Sequence, residues 1–133
     1  MALDPDLQRL AKANTLATVV TQMPDGSFQA MPLWVDCDDE HVLINTEPQR
    51  QRAKNVARNP LMTVLLVSRD SDWDWIEVRG QVVETVGGQA ARDHIDALSR
   101  KYLGRDYPNP IGPQGRVILK VRPDRVTSQA GRR

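Results

Sequence analysis

Residues 49–59 read Q-R-Q-R-A-K-N-V-A-R-N and carry Arg50, Arg52, Lys54 and Arg58 without one Asp or Glu. The whole chain is formally only +1 at pH 7, so this charge is a local feature and not part of a global field. Guanidinium groups bind phosphate and carboxylate through paired hydrogen bonds, and the free N–H groups of a helix's first turn favour the same guests. Arg50 and Lys54 are four apart and share a helical face, with Arg52 at the end where those N–H groups are free. The chemistry within reach is the gripping of an anion, most simply a phosphate. The bland alternative is a solvated helix face, but no acidic residue stands nearby to form the usual i, i+4 pairs.

Other polar clusters carry less. Asp36, Cys37, Asp38, Asp39, Glu40 and His41 crowd potential ligands together, but they read as a solvated hairpin turn, since zinc and calcium need donors aimed at one point. Asp70, Asp72 and Asp74 imitate the start of a calcium loop. Trp75 then stands where a glycine should turn the chain, and Gln81 where a bidentate Glu should close the site. Cys37 is the single cysteine, which excludes an internal disulfide, and its acidic surroundings raise a thiol pKa and blunt its reactivity. His41 and His94 fit no triad, and the G-x-S-x-G, G-x-G-x-x-G and P-loop patterns are missing. Trp73 and Trp75, two apart, share one strand face and read as core or interface anchors or as a cofactor contact.

The elements that must position the basic stretch follow from local signals. A chain of 133 residues suits one domain, 1–133, and a composition 40% hydrophobic and 26% charged suits a soluble globular one. The pI near 7.9 gives no field to draw the chain onto DNA or an anionic membrane. With no signal-peptide core and no run of the ~18–20 apolar residues a membrane span needs, a cytoplasmic location is the default expectation. Asp4-Pro5-Asp6 starts a helix running to about Ala13. Strands are predicted over 15–22, 28–35 and 41–46, the first two joined by a turn at Asp25-Gly26. Glu47-Pro48 breaks the pairing, and the basic helix runs to Asn59-Pro60.

The strand over 61–68 is continuously apolar and should be buried on both faces. A long strand over 75–86 follows, in which Gly80 marks a bulge or a close backbone approach. Ala91, Ile95, Leu98 and Tyr102 form one stripe on a helix over 89–103, stopped by Gly104. Residues 105–115, rich in Pro and Gly, must be irregular; 116–122 is the last strand and 127–133 a loose tail. Six strands, mostly hairpin-connected, predict a mainly β (α+β) antiparallel barrel with packed helices.

The order of the motifs is more specific than any one of them. Leu43-Ile-Asn-Thr46 leads into Arg50-x-Arg52-x-Lys54-Asn55-x-x-Arg58-Asn59-Pro60 and then the apolar strand. Trp75-x-Glu-Val-x-Gly80, Lys101-Tyr-Leu-Gly104 and Arg122-Pro-Asp-Arg-Val126 follow. This run, from about Leu7 to Val126, resembles the flavin/deazaflavin oxidoreductases of the pyridoxamine 5′-phosphate oxidase-like superfamily. It is most similar to the branch that uses the deazaflavin coenzyme F420, common in actinobacteria. The resemblance implies a six-stranded antiparallel split β-barrel of the FMN-binding type. It also implies a homodimer with two cofactor sites at the interface. Arg50, Arg52 and Lys54 would hold the cofactor phosphate; Thr46, with Asn45 beside it, would meet the phosphate and ribityl chain; Asn55 matches a polar position on the same helix. Met31, Pro32, Leu33 and Trp34 would lie along the cofactor ring, and Trp75 and the Lys101-Tyr102 region would reach in from the partner subunit.

Departures from the family pattern shape the functional expectation. The C-terminal substrate motif of the true pyridoxine phosphate oxidases is missing from Thr127-Ser-Gln-Ala-Gly-Arg-Arg133, so vitamin B6 phosphate oxidation is not expected. Arg52 stands where Lys is common and still binds phosphate. No aromatic residue closes the chain, which leaves the acceptor side undefined. The implied activity is F420-dependent hydride transfer to an unsaturated small-molecule acceptor. An FMN-dependent reductase or oxidase of the same fold and a non-catalytic F420 or flavin carrier stay open. Arg58 and Lys101 are candidates for the extra charge that a lactyl-glutamyl tail would favour. Near-neutral charge and few aromatics speak against nucleic acid as the partner of the basic helix.

Overall fold

The structure, a computed structural model, describes residues 2–129. The elements run α1 (Pro5–Lys12), β1 (Leu16–Gln22), β2 (Phe28–Trp34), β3 (Asp36–Cys37), β4 (Val42–Thr46), α2 (Gln51–Arg58), β5 (Leu61–Val67), β6 (Trp75–Val86), α3 (Gly88–Leu103) and β7 (Val117–Ser128). The strands form one curled antiparallel sheet in the order β2-β1-β5-β6-β7-β4-β3, a half-barrel of the split-barrel kind. Among the described residues no helix is long and apolar enough to cross a membrane.

Among the described residues seven strands stand where the sequence predicted six. The extra one, β3, lies inside the stretch read as a polar turn, where Cys37 drops into the core and pairs with Val42. The remaining turn is built by Asp38, whose Oδ1 accepts from the backbone N–H groups of Glu40 and His41 at 2.8 and 2.6 Å. The final strand also runs past its predicted end, through Thr127 and Ser128, because β6 is long enough to pair with it to Ile76. Ala130 to Arg133, the rest of the predicted tail, lie outside the described residues.

Local signals explain the helices. Asp4 Oδ1 accepts from Asp6 N and Leu7 N at 2.9 and 3.2 Å, and Pro5 opens α1, so two orphan donors are satisfied. Leu7, Leu10 and Ala11 face the half-barrel interior with Val19, Ile44, Val64, Leu66, Ile76 and Leu119. Arg9 grips both oxygens of Asp74 at 2.9 Å, tying α1 to the β5–β6 loop. At Gly80 a Cβ would sit 2.2 Å from the Arg122 carbonyl oxygen, and the β6–β7 register shifts there, as the close approach read from the sequence requires.

Burial of the strands departs from the sequence reading. In β5, Met62, Val64 and Leu66 are buried while Thr63, Leu65 and Val67 are half-exposed and Leu61 is open, so one face lacks cover. The strand buried on both faces is β4, all five residues of it. Val42 and Ile44 enter the main core; on the opposite face Ala91 of α3 covers Leu43 and Ile118 in a second cluster. Trp73 and Trp75 do not share a strand face: Trp73 is in the turn and exposed, and only Trp75 belongs to β6. The end of α3 is pinned within the chain. Tyr102 Oη donates to the Thr15 carbonyl and accepts from Val35 N at 3.1 Å, and Lys101 Nζ donates to the Ala11 and Val35 carbonyls at 2.9 and 2.5 Å.

Candidate functional site

A cavity of about 400 Å³ opens where β4 ends, α2 begins, and β2, α3 and the 105–116 segment converge. Asn45 and Thr46 supply its floor, and Arg50 and Arg52 supply the α2 edge. Pro32, Leu33 and Trp34 form the β2 wall, and Tyr107, Asn109 and Arg116 close the far side. Of the residues assigned to the site from sequence, seven therefore meet here: Pro32, Leu33, Trp34, Asn45, Thr46, Arg50 and Arg52.

The other four do not line the cavity. Met31, one residue before the lining stretch, is 38% exposed and lies outside the lining. Lys54 lies on the exposed side of α2. Asn55 is fully buried beneath α2, where Nδ2 donates to Thr21 Oγ1 at 3.0 Å and Oδ1 accepts from Gln51 Nε2 at 2.8 Å. Its bonding capacity goes into fastening the helix to β1. Trp75 starts β6 on the sheet's uncovered outer face, paired with Val67. Lys101 and Tyr102 are spent on the contacts that pin α3, and Arg58 Nη2 donates to the Gln22 carbonyl.

The cavity's electrostatics are decided by three guanidiniums and one carboxylate. Glu47, just ahead of the basic stretch, is the acidic neighbour that the sequence reading discounted. Its Oε1 accepts from Arg50 Nε and Nη2 at 3.2 and 3.1 Å and lies 3.7 Å from Arg116 Nη1. Among the described residues Arg52 has no ion-pair partner, and the charge of Glu47 only partly offsets its surroundings. Burial, and then the positive charges of Arg50 and Arg116, push its pKa down, and its Nε is buried without a hydrogen bond. Burial likewise lowers Arg116. Arginine stays charged through such shifts, so two positive charges are left over in a half-enclosed space. Thr46 Oγ1, fully buried at the same place, also lacks a partner. A buried hydroxyl without a hydrogen bond costs roughly 1–3 kcal/mol, and a ligand oxygen would remove that cost.

The opposite wall is aromatic. Trp34 stacks on Tyr102 with ring centroids 5.1 Å apart and planes 4° from parallel, and meets Tyr107 edge-on at 6.4 Å. The Arg116 guanidinium lies 5.3 Å from the Tyr107 ring centre. One end of the cavity therefore suits an anion and the other a flat apolar ring. Sequence reasoning missed Glu47, Tyr107, Asn109 and Arg116. Arg116 stands at the entrance of the strand predicted over 116–122, but nothing in the sequence places that entrance beside Asn45, 71 positions away.

Comparison with known proteins agrees with this fold. Residues 3–130 match the family described as pyridoxamine 5′-phosphate oxidase. A solved structure described as an F420 reductase superposes with a TM-score of 0.76 at 27% identity, covering 90% of this chain and 94% of that one. The conserved hypothetical protein Rv2991 from Mycobacterium tuberculosis gives a TM-score of 0.73 at 21% identity, covering 99% of this chain and 87% of that one. General Stress Protein 26 from Bacillus anthracis gives 0.69 at 19%, covering 91% and 88%. Among curated proteins there is no match.

Proposed function

The chain belongs to the pyridoxamine 5′-phosphate oxidase family, and from that premise we propose that it is a coenzyme F420-dependent oxidoreductase passing hydride to an unsaturated small molecule. The observation that carries the reading is the unpartnered Thr46 hydroxyl set among Arg50, Arg52 and Arg116. A ribityl phosphate in that corner would take hydrogen bonds from Thr46 Oγ1 and Arg52 Nε and balance the leftover charge. The Pro32–Trp34 wall would then lie beside the cofactor ring. Lys54, on the outside of α2, would act only as a distant charge, and Asn55 would hold the helix in place.

The deazaflavin, when bound, supplies the hydride; the protein's part is to bind, orient and exclude water. Arg50, Arg52, Arg116 and Thr46 fix one end of the cofactor, and the aromatic wall limits how its ring can tilt. Apolar Leu16, Pro32 and Leu103 line the wall side and are exposed at its rim, where a second protomer would cover them. The likeness to the F420 reductase, above a quarter in identity and nearly full in coverage, favours F420. FMN is the second reading, because two leftover positive charges also match a phosphate monoester dianion. In either case a pair of protomers is part of the proposal. The uncovered face of β2, β1, β5 and β6 carries Leu16, Val20, Leu65 and Trp75 and is continuous with the cavity through Leu16 and Pro32. Joined there, Trp75 would be offered to the other protomer's site.

Titration of the purified protein with F420 and with FMN, followed by fluorescence quenching, tests the assignment. Micromolar binding of F420 with reduction of a nitro or enone acceptor supports it. Binding of FMN alone moves the assignment to the second reading, and F420 binding with no acceptor reduced in a broad screen makes the protein a carrier.

A further inference from the structure

The Asn45 side chain has its three polar contacts matched in one orientation only. Its Oδ1 accepts from Arg116 Nε at 2.9 Å, and its Nδ2 donates to the Ala91 carbonyl at 3.0 Å and lies 3.1 Å from His94 Nδ1. Turning the amide over would set oxygen against the Ala91 carbonyl and nitrogen against the Arg116 N–H. With Nδ2 as the donor, His94 Nδ1 must be the acceptor. The ring proton then sits on Nε2, which donates to Asp36 Oδ2 at 3.0 Å. Asp36 Oδ1 in turn accepts from Lys12 Nζ at 2.9 Å. The chain of contacts runs from the surface of α1 through β3, α3 and β4 to Arg116, with donors facing acceptors at each step. His94 is 11% exposed and is not among the residues lining the 400 Å³ cavity.

We propose that His94 is a positioning residue: without touching the ligand, it holds the Asn45 amide in the orientation that anchors Arg116 Nε, and so sets the anion affinity of the cavity. The inference rests on the reading above that Arg116 grips the cofactor phosphate. With Nε anchored and the guanidinium laid against Tyr107, the Nη edge of Arg116 is held at the cavity. Without an acceptor at His94 Nδ1, one Asn45 donor is orphaned in a buried place, and one of the three contacts that hold the amide with Oδ1 toward Arg116 is lost.

Two polar substitutions separate the halves of the imidazole. Gln at position 94 sets an amide nitrogen near the place of Nε2, keeping the bond to Asp36 and losing the acceptor for Asn45. Asn sets its oxygen near the place of Nδ1 and keeps that acceptor. FMN and F420 are titrated into wild type and both variants, each beside its phosphate-free parent, riboflavin or the deazaflavin nucleoside. The hydrogen exchange of the Arg116 Nε–H is followed by NMR in the ligand-free proteins. His94→Gln should weaken the phosphorylated cofactor about 10-fold, leave the phosphate-free parent within about twofold, and speed the Arg116 exchange; His94→Asn should restore all three. Equal phosphate-cofactor affinity in wild type and His94→Gln overturns the inference. Parallel losses for the cofactor and its phosphate-free parent do so too, since a merely structural His94 would act on both. If wild type binds neither cofactor, the functional reading falls, and the Arg116 proton alone decides: unchanged exchange in His94→Gln overturns the positioning role.

Discussion

Replacing Thr46 by Val should move stability and cofactor affinity in opposite directions. Val has nearly the shape of Thr and suits a strand, so β4 and its register are kept. The Thr46 hydroxyl is fully buried and has no hydrogen-bond partner among the described residues. Its removal relieves a desolvation cost of roughly 1–3 kcal/mol, and the new methyl is buried in its place. Thr46→Val is therefore expected to raise the free protein's stability, by about 1 kcal/mol or more, in urea denaturation. With the cofactor, the sign reverses. A hydroxyl donating to a phosphate oxygen is a hydrogen bond to a charged group, worth about 1.5–3 kcal/mol, so the dissociation constant should rise about 10- to 150-fold. Denaturation of the ligand-free protein and fluorescence titration with F420 and FMN read the two effects separately. A variant less stable than wild type and unchanged in affinity would refute the reasoning, because the hydroxyl would then be satisfied by something other than ligand.

The remaining predictions concern charge and close packing. Arg50→Ala with Arg52→Ala should weaken cofactor binding about 100-fold or more while leaving the melting temperature close to wild type, because Arg52 is buried among like charges and stabilises nothing in the free protein; wild-type affinity by titration would mean the phosphate lies elsewhere. Gly80→Ala should cost about 1–3 kcal/mol in urea denaturation, since its Cβ would meet the Arg122 backbone oxygen and the β6–β7 pairing must shift. Burial lowers the Lys101 pKa from 10.5 to about 8, so between those values the unfolded chain holds more protons than the folded one. Stability should therefore gain a rising component with pH across that window, and Lys101→Met should remove it, as seen in the difference between the two denaturation profiles.

Much of the scaffold was legible because its signals are local. Asp4 caps α1 through atoms two and three residues away, Gly104 ends α3 in the left-handed region at φ 77, and the α3 stripe is a matter of helical spacing. Each depends on neighbours in the chain, so reading the chain finds it. The burial of β5 and β4 was not legible from their apolar runs. Cover depends on which strand lies beneath α3, and the pairing of β4 with β7 that decides this joins residues far apart in sequence. Asn55 was misleading for a similar reason: on a short helix, a polar residue beside arginines looks like part of their site until the helix is set against Thr21.

By itself the sequence determined that a concentrated positive charge would open a helix directly after an apolar strand, and hence that an anion could be gripped there. That follows from residue type and spacing along one continuous stretch. Only the tertiary structure decided how the grip is completed. It brings Arg116 to Asn45 across 71 positions, sets Glu47 between Arg50 and Arg116, leaves Thr46 Oγ1 without a partner, and turns Lys54 and Asn55 away. The physical reason is that charge is carried by residues wherever they stand, whereas a binding site needs several groups aimed at one point, and that aim is set by non-local strand pairing and by the helix packed upon it.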